Sequence, residues 1–244
     1  MNIGIISAAG VGSRIQSEVP KQFIKVDGKS ILMYTVENVE KAYNIDKIVI
    51  VCHKDFINEV KEEIDSLGFE KVVSVVSGGN TGFESLQKGS DEACRYADND
   101  NDVFLLIDSV RPLCPTCTIE EVVSDAAIYG SASVYTRMSY AIVNIDEKDN
   151  GKAVSNSVVG EDGRKGLGIE HTPNAIQKKK LYDLLEEAKE AGYDNPINIS
   201  LLQLQLGKTL NYVLTTNQNI KITRQEDLEL FKAIVYYKNH YKKF

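Results

Sequence analysis

Four short runs of β-branched and apolar residues, separated by segments of helical periodicity, constrain this chain more than any other feature. They are Asn2 to Ser7, Lys47 to Cys52 (KIVIVC), Lys71 to Val76 (KVVSVV) and Val103 to Ile107 (VFLLI). None alternates strictly between apolar and polar residues, so neither face of such a strand is suited to water. Each reads as a strand covered by helices on both sides. Between them Ile31 to Tyr43, Asp55 to Leu67 with Phe56, Val60 and Ile64 at helical spacing, and Gly82 to Tyr96 read as amphipathic helices. Thr118-Ile-Glu-Glu121 has the spacing of a capping box, opening a helix that Gly130 can close. The first half therefore reads β-α-β-α-β-α-β-α, the pattern of an α/β protein with a single doubly wound, mostly parallel sheet.

Beyond that half, Ser131 to Ile145 resumes strand character, and Asp146 to Gly168 is polar, Gly-containing and weakly periodic. This stretch predicts an arm protruding from the body, over roughly residues 139–160. Helical patterning returns at Gln177 to Ala191 and again from Thr223-Arg-Gln-Glu226, a second capping-box spacing, to near the C-terminus. A length of 244 residues fits one large domain.

A net charge of −7 argues against a general nucleic-acid or anionic-membrane surface, because both require clustered positive charge. Any anionic ligand must be held locally. No apolar stretch approaches the roughly 20 residues of a membrane helix, and the N-terminal apolar run lacks a signal peptide's basic leader. Cys52, Cys94, Cys114 and Cys117 are too sparse for a disulfide framework, which leads us to expect a cytoplasmic protein.

Local anion binding has an obvious candidate in Ala8-Ala9-Gly10-Val11-Gly12-Ser13-Arg14, followed by Pro20-Lys21-Gln22. A Gly-rich loop after the first strand of a parallel sheet lets backbone N–H groups approach a phosphate, and Arg14 and Lys21 add charge. The segment is neither a dinucleotide-binding turn, since Ile15 stands where a third Gly is needed, nor a Walker loop. Taken alone, it fits a tight turn with two exposed cations as well as it fits a phosphate site.

Read with the rest of the chain, A-A-G-x-G-x-R and P-K-Q resemble the opening signature of the cytidylyltransferases that act on methylerythritol phosphate, ribitol phosphate and similar polyol phosphates. Four more matches follow in order. Gly78-Gly79-Asn80 with Ser85 resembles the family's second nucleotide loop, and Ile107-Asp108-Ser109-Val110-Arg111-Pro112 resembles its H-D-A-A-R-P segment. Arg164 ahead of His171-Thr172-Pro173-Asn174 is similar to its R…T-P-Q segment, and Asn219-Ile220-Lys221-Ile222-Thr223 with Glu226-Asp227-Leu228 to its N-I-K-x-T-x-x-E-D-L ending.

The resemblance implies transfer of CMP from CTP to a polyol phosphate, with release of pyrophosphate and formation of a CDP-alcohol. Ala8, Ala9, Gly10 and Gly12 would wrap the triphosphate. Arg14 and Lys21 would neutralise it around the reacting phosphorus, and Gly79, Asn80 and Ser85 would face the base and ribose. Asp108, Arg111, Arg164, Thr172 and Lys221 would hold the acceptor side, with Arg164 and Lys221 nearest its phosphate. Mg²⁺ is implied by the triphosphate, with Asp108 touching either metal or acceptor, and the arm would pair two subunits in a homodimer. An acceptor phosphate is already an anionic nucleophile, so the chemistry needs positioning and positive charge rather than a strong base. His53, His171 and His240 need no catalytic role.

Departures from the family pattern cluster on the acceptor side, except at Gly82, where the family's Arg resembles a contribution to the partner subunit's triphosphate site. Gly82 stands where the second loop usually carries Arg, Ile107 where His precedes the Asp, and Ser109-Val110 where the pattern has two Ala. Ser139-Tyr140 aligns with a D-T pair, and a later T-D pair falls near Ile197-Asn198. Arg14, Lys21 and Lys221 persist. The pattern points to an altered acceptor, a polyol phosphate destined for a cell-surface polymer, with methylerythritol phosphate and isoprenoid synthesis still open. Three other readings stand beside it. Cys114-Pro-Thr-Cys117 at a helix N-terminus suggests a redox dithiol of lowered pKa or half a zinc site. Gly82 and Ser139 suggest a non-catalytic nucleotide-binding descendant. The third is a nucleotidyltransferase using another base.

Overall fold

In the computed structural model, residues 1–10, 15, 17–138, 145–146, 152–153, 167–193, 195–196 and 198–241 are described, with 145–146 and 152–153 as backbone only. The first strand, β1 (Asn2–Ala8), is followed by a short hairpin of β2 (Lys25–Val26) and β3 (Lys29–Ser30) and by α1 (Ile31–Lys41). The chain continues through β4 (Lys47–Cys52), α2 (Ile57–Leu67), β5 (Val72–Ser77), α3 (Gly82–Cys94), β6 (Val103–Asp108), α4 (Thr116–Tyr129) and β7 (Ser131–Arg137). A two-residue ladder, β8 (Ile145–Asp146) with β9 (Lys152–Ala153), lies in the segment expected to form the arm; the rest of residues 139–160 lies outside the described residues. The chain ends with β10 (Gly168–Gln177), α5 (Lys178–Glu190), α6 (Ile199–Gln205), β11 (Asn211–Leu214) and α7 (Gln225–Tyr241).

Seven strands form one sheet in the order β11-β7-β10-β6-β1-β4-β5. β1 pairs in parallel with both β4 and β6. Strand order therefore reverses at β1, and the carboxyl ends of β1 and β6 open side by side, with Ser7 opposite Asp108. Such a switch point is where open α/β sheets leave a crevice for ligands.

The four expected strands and the helices between them are present, and the continuous apolar runs are explained by burial on both faces. Ile6, Ile48, Ile50, Leu105 and Ile107 pack against α1, α2 and α4. Ile3, Ile5, Val49, Val51, Phe104 and Leu106 pack against α3, α5 and α6. A third cluster fastens α7 beside the switch point, with Phe231, Leu228 and Val235 meeting Ile15, Val26, Val110 and Ile222.

Both capping boxes form differently from expectation. α4 starts at Thr116 with Pro115 at the cap, so Thr118 lies in the first turn, where its hydroxyl meets that of Thr215 at 3.0 Å. Its C-terminal end is as expected: Gly130 caps it at φ 87°, a left-handed conformation natural to glycine. At α7 the Asp227 carboxylate, one residue past the expected Glu226, accepts the N–H groups of Thr223 and Arg224, both at 2.8 Å. β10, α6 and β11 have no counterpart in the sequence reading. β10 runs antiparallel between β6 and β7, and its polar stretch Glu-His-Thr-Pro-Asn hides strand periodicity behind a bulge at His171/Asn174.

Candidate functional site

β6 delivers Asp108 to the mouth of the switch point, where three side chains from three other places in the chain converge on its Oδ2 atom. Thr172, in the bulge of β10, donates its hydroxyl at 2.8 Å. Arg111, just beyond β6, donates Nε–H at 3.2 Å. Lys221, between β11 and α7, places its ammonium at 3.1 Å. Burial works against the Asp108 charge, but Lys221, Arg111 and the Thr172 hydroxyl outweigh it and hold the carboxyl below its ordinary value.

Arg111 is only 5% exposed and also donates to the Asn219 carbonyl at 2.9 Å. It is an internal brace rather than a surface charge. The Asn219 side chain, in turn, donates to the Thr172 carbonyl at 2.9 Å. Arg111, Asn219 and Thr172 thus close a ring behind Asp108, leaving Lys221, 43% exposed, as the member that faces outward. His171 lies behind the same bulge, bonded to the Thr136 hydroxyl at 2.8 Å. Burial, helped by Arg111, pushes its pKa down to about 4, so it is neutral near pH 7.

The Gly-rich loop begins beside this ring. Ala8 ends β1, and Ala9 and Gly10 follow; Gly12, Arg14 and Arg164 lie outside the described residues. Lys21 opens a short 3₁₀ turn and donates from Nζ to the Ile222 carbonyl at 2.8 Å, which brings it next to Lys221 in the chain. The segment around residue 222 is itself pinned by the Ile222 N–H to the Val110 carbonyl at 2.9 Å.

The second loop packs directly on the first. A Cβ on Gly78 would lie 2.3 Å from that of Ala9, so only glycine permits this approach. The Ser85 hydroxyl, which the sequence reading turned toward base and ribose, is buried inside the loop, accepting from Gly79 N–H at 3.0 Å and donating to the Thr81 carbonyl at 2.9 Å. Glu84 takes the Asn80 N–H at 2.7 Å while Thr81 caps α3 by accepting the Glu84 N–H. Asn198, counted above among the departures, caps α6 by accepting the Leu201 N–H at 2.7 Å, a task Asp performs equally well. Ser139, Tyr140 and Ile197 lie outside the described residues.

The cysteine alternative fails on geometry. Burial pushes the Cys114 thiol up to about 12, the reverse of an activated dithiol, while Cys117 is exposed. Among the described residues, no three His, Cys, Asp or Glu side chains gather to hold a metal.

A loop after β1, a second loop packed on it, and a lysine-bearing segment crossing the end of β6 make a mouth suited to a polyphosphate. The family model of the 2-C-methyl-D-erythritol 4-phosphate cytidylyltransferases matches residues 3–237. The chain belongs to this family. It is therefore an enzyme, a nucleotidyltransferase of the cytidylyl class. Among its relatives, a ribitol-5-phosphate cytidylyltransferase of Lacticaseibacillus paracasei is 30% identical, over 96% of this chain and 97% of the relative. A 2-C-methyl-D-erythritol 4-phosphate cytidylyltransferase of Petrotoga mobilis is 31% identical, over 96% and 98%. The crystal structure of a 4-diphosphocytidyl-2C-methyl-D-erythritol synthase from Anaerococcus prevotii shares the fold, with a TM-score of 0.77 at 24% identity over 96% of each chain.

Asn219, Glu84 and Gln22 are site residues to which the sequence reading gave no role. Asn219 and Gln22 lie inside the N-I-K and P-K-Q signatures, and that adjacency was the available signal.

Proposed function

We propose that this enzyme transfers CMP from CTP to ribitol 5-phosphate, in a cytoplasmic homodimer. One observation carries the cytidylyl-transfer chemistry: Lys221, oriented by Asp108 and backed by buried Arg111, stands at the open end of β6 beside the loop after β1. The acceptor phosphate oxygen attacks the α-phosphorus; a new O–P bond forms, the bond to the β-phosphate oxygen breaks, and pyrophosphate leaves. Negative charge increases on the oxygens around phosphorus, and Lys21 and Lys221 are placed to oppose it. Fixed cations of this kind contribute about 10²–10³ in rate each. Asp108 acts as a positioning residue that keeps the Lys221 ammonium in place.

The residues fit a divalent ion that arrives with the triphosphate, not one caged by the protein, because Asp108 is the lone carboxylate of the ring and its Oδ2 already carries three donors. Mg²⁺ so bound neutralises phosphate charge.

One observation favours ribitol 5-phosphate: Ser139-Tyr140 stands where the methylerythritol phosphate pattern has an acid and a threonine. Relatives named for either acceptor match 96% of this chain at 30–31% identity, so the choice between the two rests on this pair. The CDP-alditol formed is an activated donor for a cell-surface polymer. A two-residue ladder such as that of β8 with β9 is marginal by itself, which supports pairing with a second subunit; free cysteines support a reducing compartment.

The test is pyrophosphate release from CTP and Mg²⁺ with ribitol 5-phosphate, methylerythritol phosphate and other alditol phosphates offered separately, and with UTP, ATP and GTP in place of CTP. Preferred turnover of CTP with ribitol 5-phosphate is expected. Preference for methylerythritol phosphate would overturn the acceptor assignment, and CTP binding without turnover of any acceptor would favour a non-catalytic descendant. Ser139→Asp should shift preference toward methylerythritol phosphate.

A further inference from the structure

Three consecutive residues of the 3₁₀ turn, Lys21, Gln22 and Phe23, reach in three directions, as expected where each residue turns about 120° from the last. Phe23 stacks on Phe56, with ring centroids 4.2 Å apart, and anchors the turn to the body. Lys21 reaches the Ile222 carbonyl. Gln22, 2% exposed, turns inward beneath the Gly-rich loop. Its Nε2 donates to the Ala8 carbonyl at 2.8 Å and to the Gly10 carbonyl at 2.6 Å. A side-chain amide has two N–H donors, so both are engaged on this one loop.

A loop that binds an anion through its backbone must turn its N–H groups toward the ligand and its carbonyls away from it. In a planar trans peptide the C=O and N–H of one plane point in opposite directions. Tying a carbonyl down on one side therefore turns the N–H of that plane to the other. The space around the Cα of Gly10 is open, with nothing within 4 Å of where a Cβ would stand. We infer that Gln22 is a positioning residue for the nucleotide: by holding the Ala8 and Gly10 carbonyls on its own side, it turns the Ala9 N–H, which shares a peptide plane with the Ala8 carbonyl, toward the triphosphate. This rests on the cytidylyl-transfer reading above, in which the loop wraps the phosphates. It also explains why a buried, uncharged side chain stands beside Lys21. Gln22 and Lys21 together join the Gly-rich loop to the Lys221 segment through a single 3₁₀ turn.

The experiment compares the full-length wild type with Gln22→Met, which keeps the length and removes both donors, and with Gln22→Glu, which sets a carboxylate against two carbonyls. Affinities for CTP, inorganic pyrophosphate and cytidine are measured by calorimetry, with thermal unfolding in parallel. The expected result is a loss of CTP and pyrophosphate affinity of about tenfold or more in Gln22→Met, as for lost hydrogen bonds to a charged group. The loss should be larger in Gln22→Glu, and cytidine affinity should be unchanged in both. CTP and pyrophosphate affinities within twofold of wild type, in variants whose unfolding is lowered, would make Gln22 a core residue only and overturn the inference. Should Gln22→Met fail to fold, Gln22→Asn, too short to span both carbonyls, gives the same comparison. Because the readout is binding, inactivity of the wild type on ribitol 5-phosphate would refute the acceptor assignment, while a selective loss of pyrophosphate affinity would still support the tether.

Discussion

Replacing Arg111 by Met keeps most of the side chain's apolar stem and removes the buried charge that braces Asp108. Nε donates to Asp108 at 3.2 Å, and the partners' side chains are 6% and 25% exposed, so the pair is largely shielded from water. Breaking a buried ion pair from one side costs about 3–5 kcal/mol. Asp108 keeps Lys221 and Thr172, and a quarter of its side chain reaches solvent, so the expected loss is about 2–4 kcal/mol, or about 5–15 °C in Tm for a chain of this size. The loss depends on pH with a definite sign. In the wild type the folded Asp108 carboxyl titrates below its ordinary value, so it contributes stability above about pH 4 that disappears as pH falls through the folded value. Without Arg111 the folded carboxyl moves upward, and the contribution shrinks. The gap in Tm between the two proteins should therefore be widest near neutral pH and narrow as pH falls through the folded carboxyl values. Thermal unfolding followed by circular dichroism at several pH values measures it. A gap that does not narrow as pH falls from about 7 through the folded Asp108 value, or none near neutral pH, would refute the ring of contacts around Asp108.

Three further outcomes follow from the same geometry. Lys221→Ala, at a side chain 43% exposed, should lower turnover about 10²–10³-fold at saturating CTP while changing stability by less than about 1 kcal/mol; near-normal turnover would remove its assignment. Gly78→Ala puts a Cβ 2.3 Å from that of Ala9, so it should force the two loops apart, cost about 1–3 kcal/mol in unfolding experiments and weaken CTP binding. Thiol titration at pH 7.5 should reach exposed Cys117 quickly, whereas Cys52 and Cys114, pushed up to about 12 by burial, should react only on unfolding.

The layered fold was legible in the sequence because its signal is local. Ile48, Ile50 and Val49, Val51 belong to opposite faces of one strand, and both sets are apolar because helices cover both sides. The Gly-rich loop could be recognised for the same reason, since a turn and its neighbouring cations lie within a few residues. β10 was not legible, because Glu170 to Asn174 are polar and serve the bulge and the site rather than a core.

The site was legible only as names in order. Arg111 alone reads as a surface charge, yet it is buried because Asn219, 108 residues later, folds back to take its N–H. Thr172 meets Asp108 across 64 residues. Cys114 sits beside a helix start that suggests a lowered pKa, but burial in the core reverses the sign. Periodicity, turn chemistry and loop composition depend on neighbours in the chain, and the sequence by itself determined those. The Asp108 ring, the tether from Gln22 and the contact of Gly78 with Ala9 depend on strand order placing β1 between β4 and β6. That order is settled by packing over the whole sheet, and only the tertiary structure decided it.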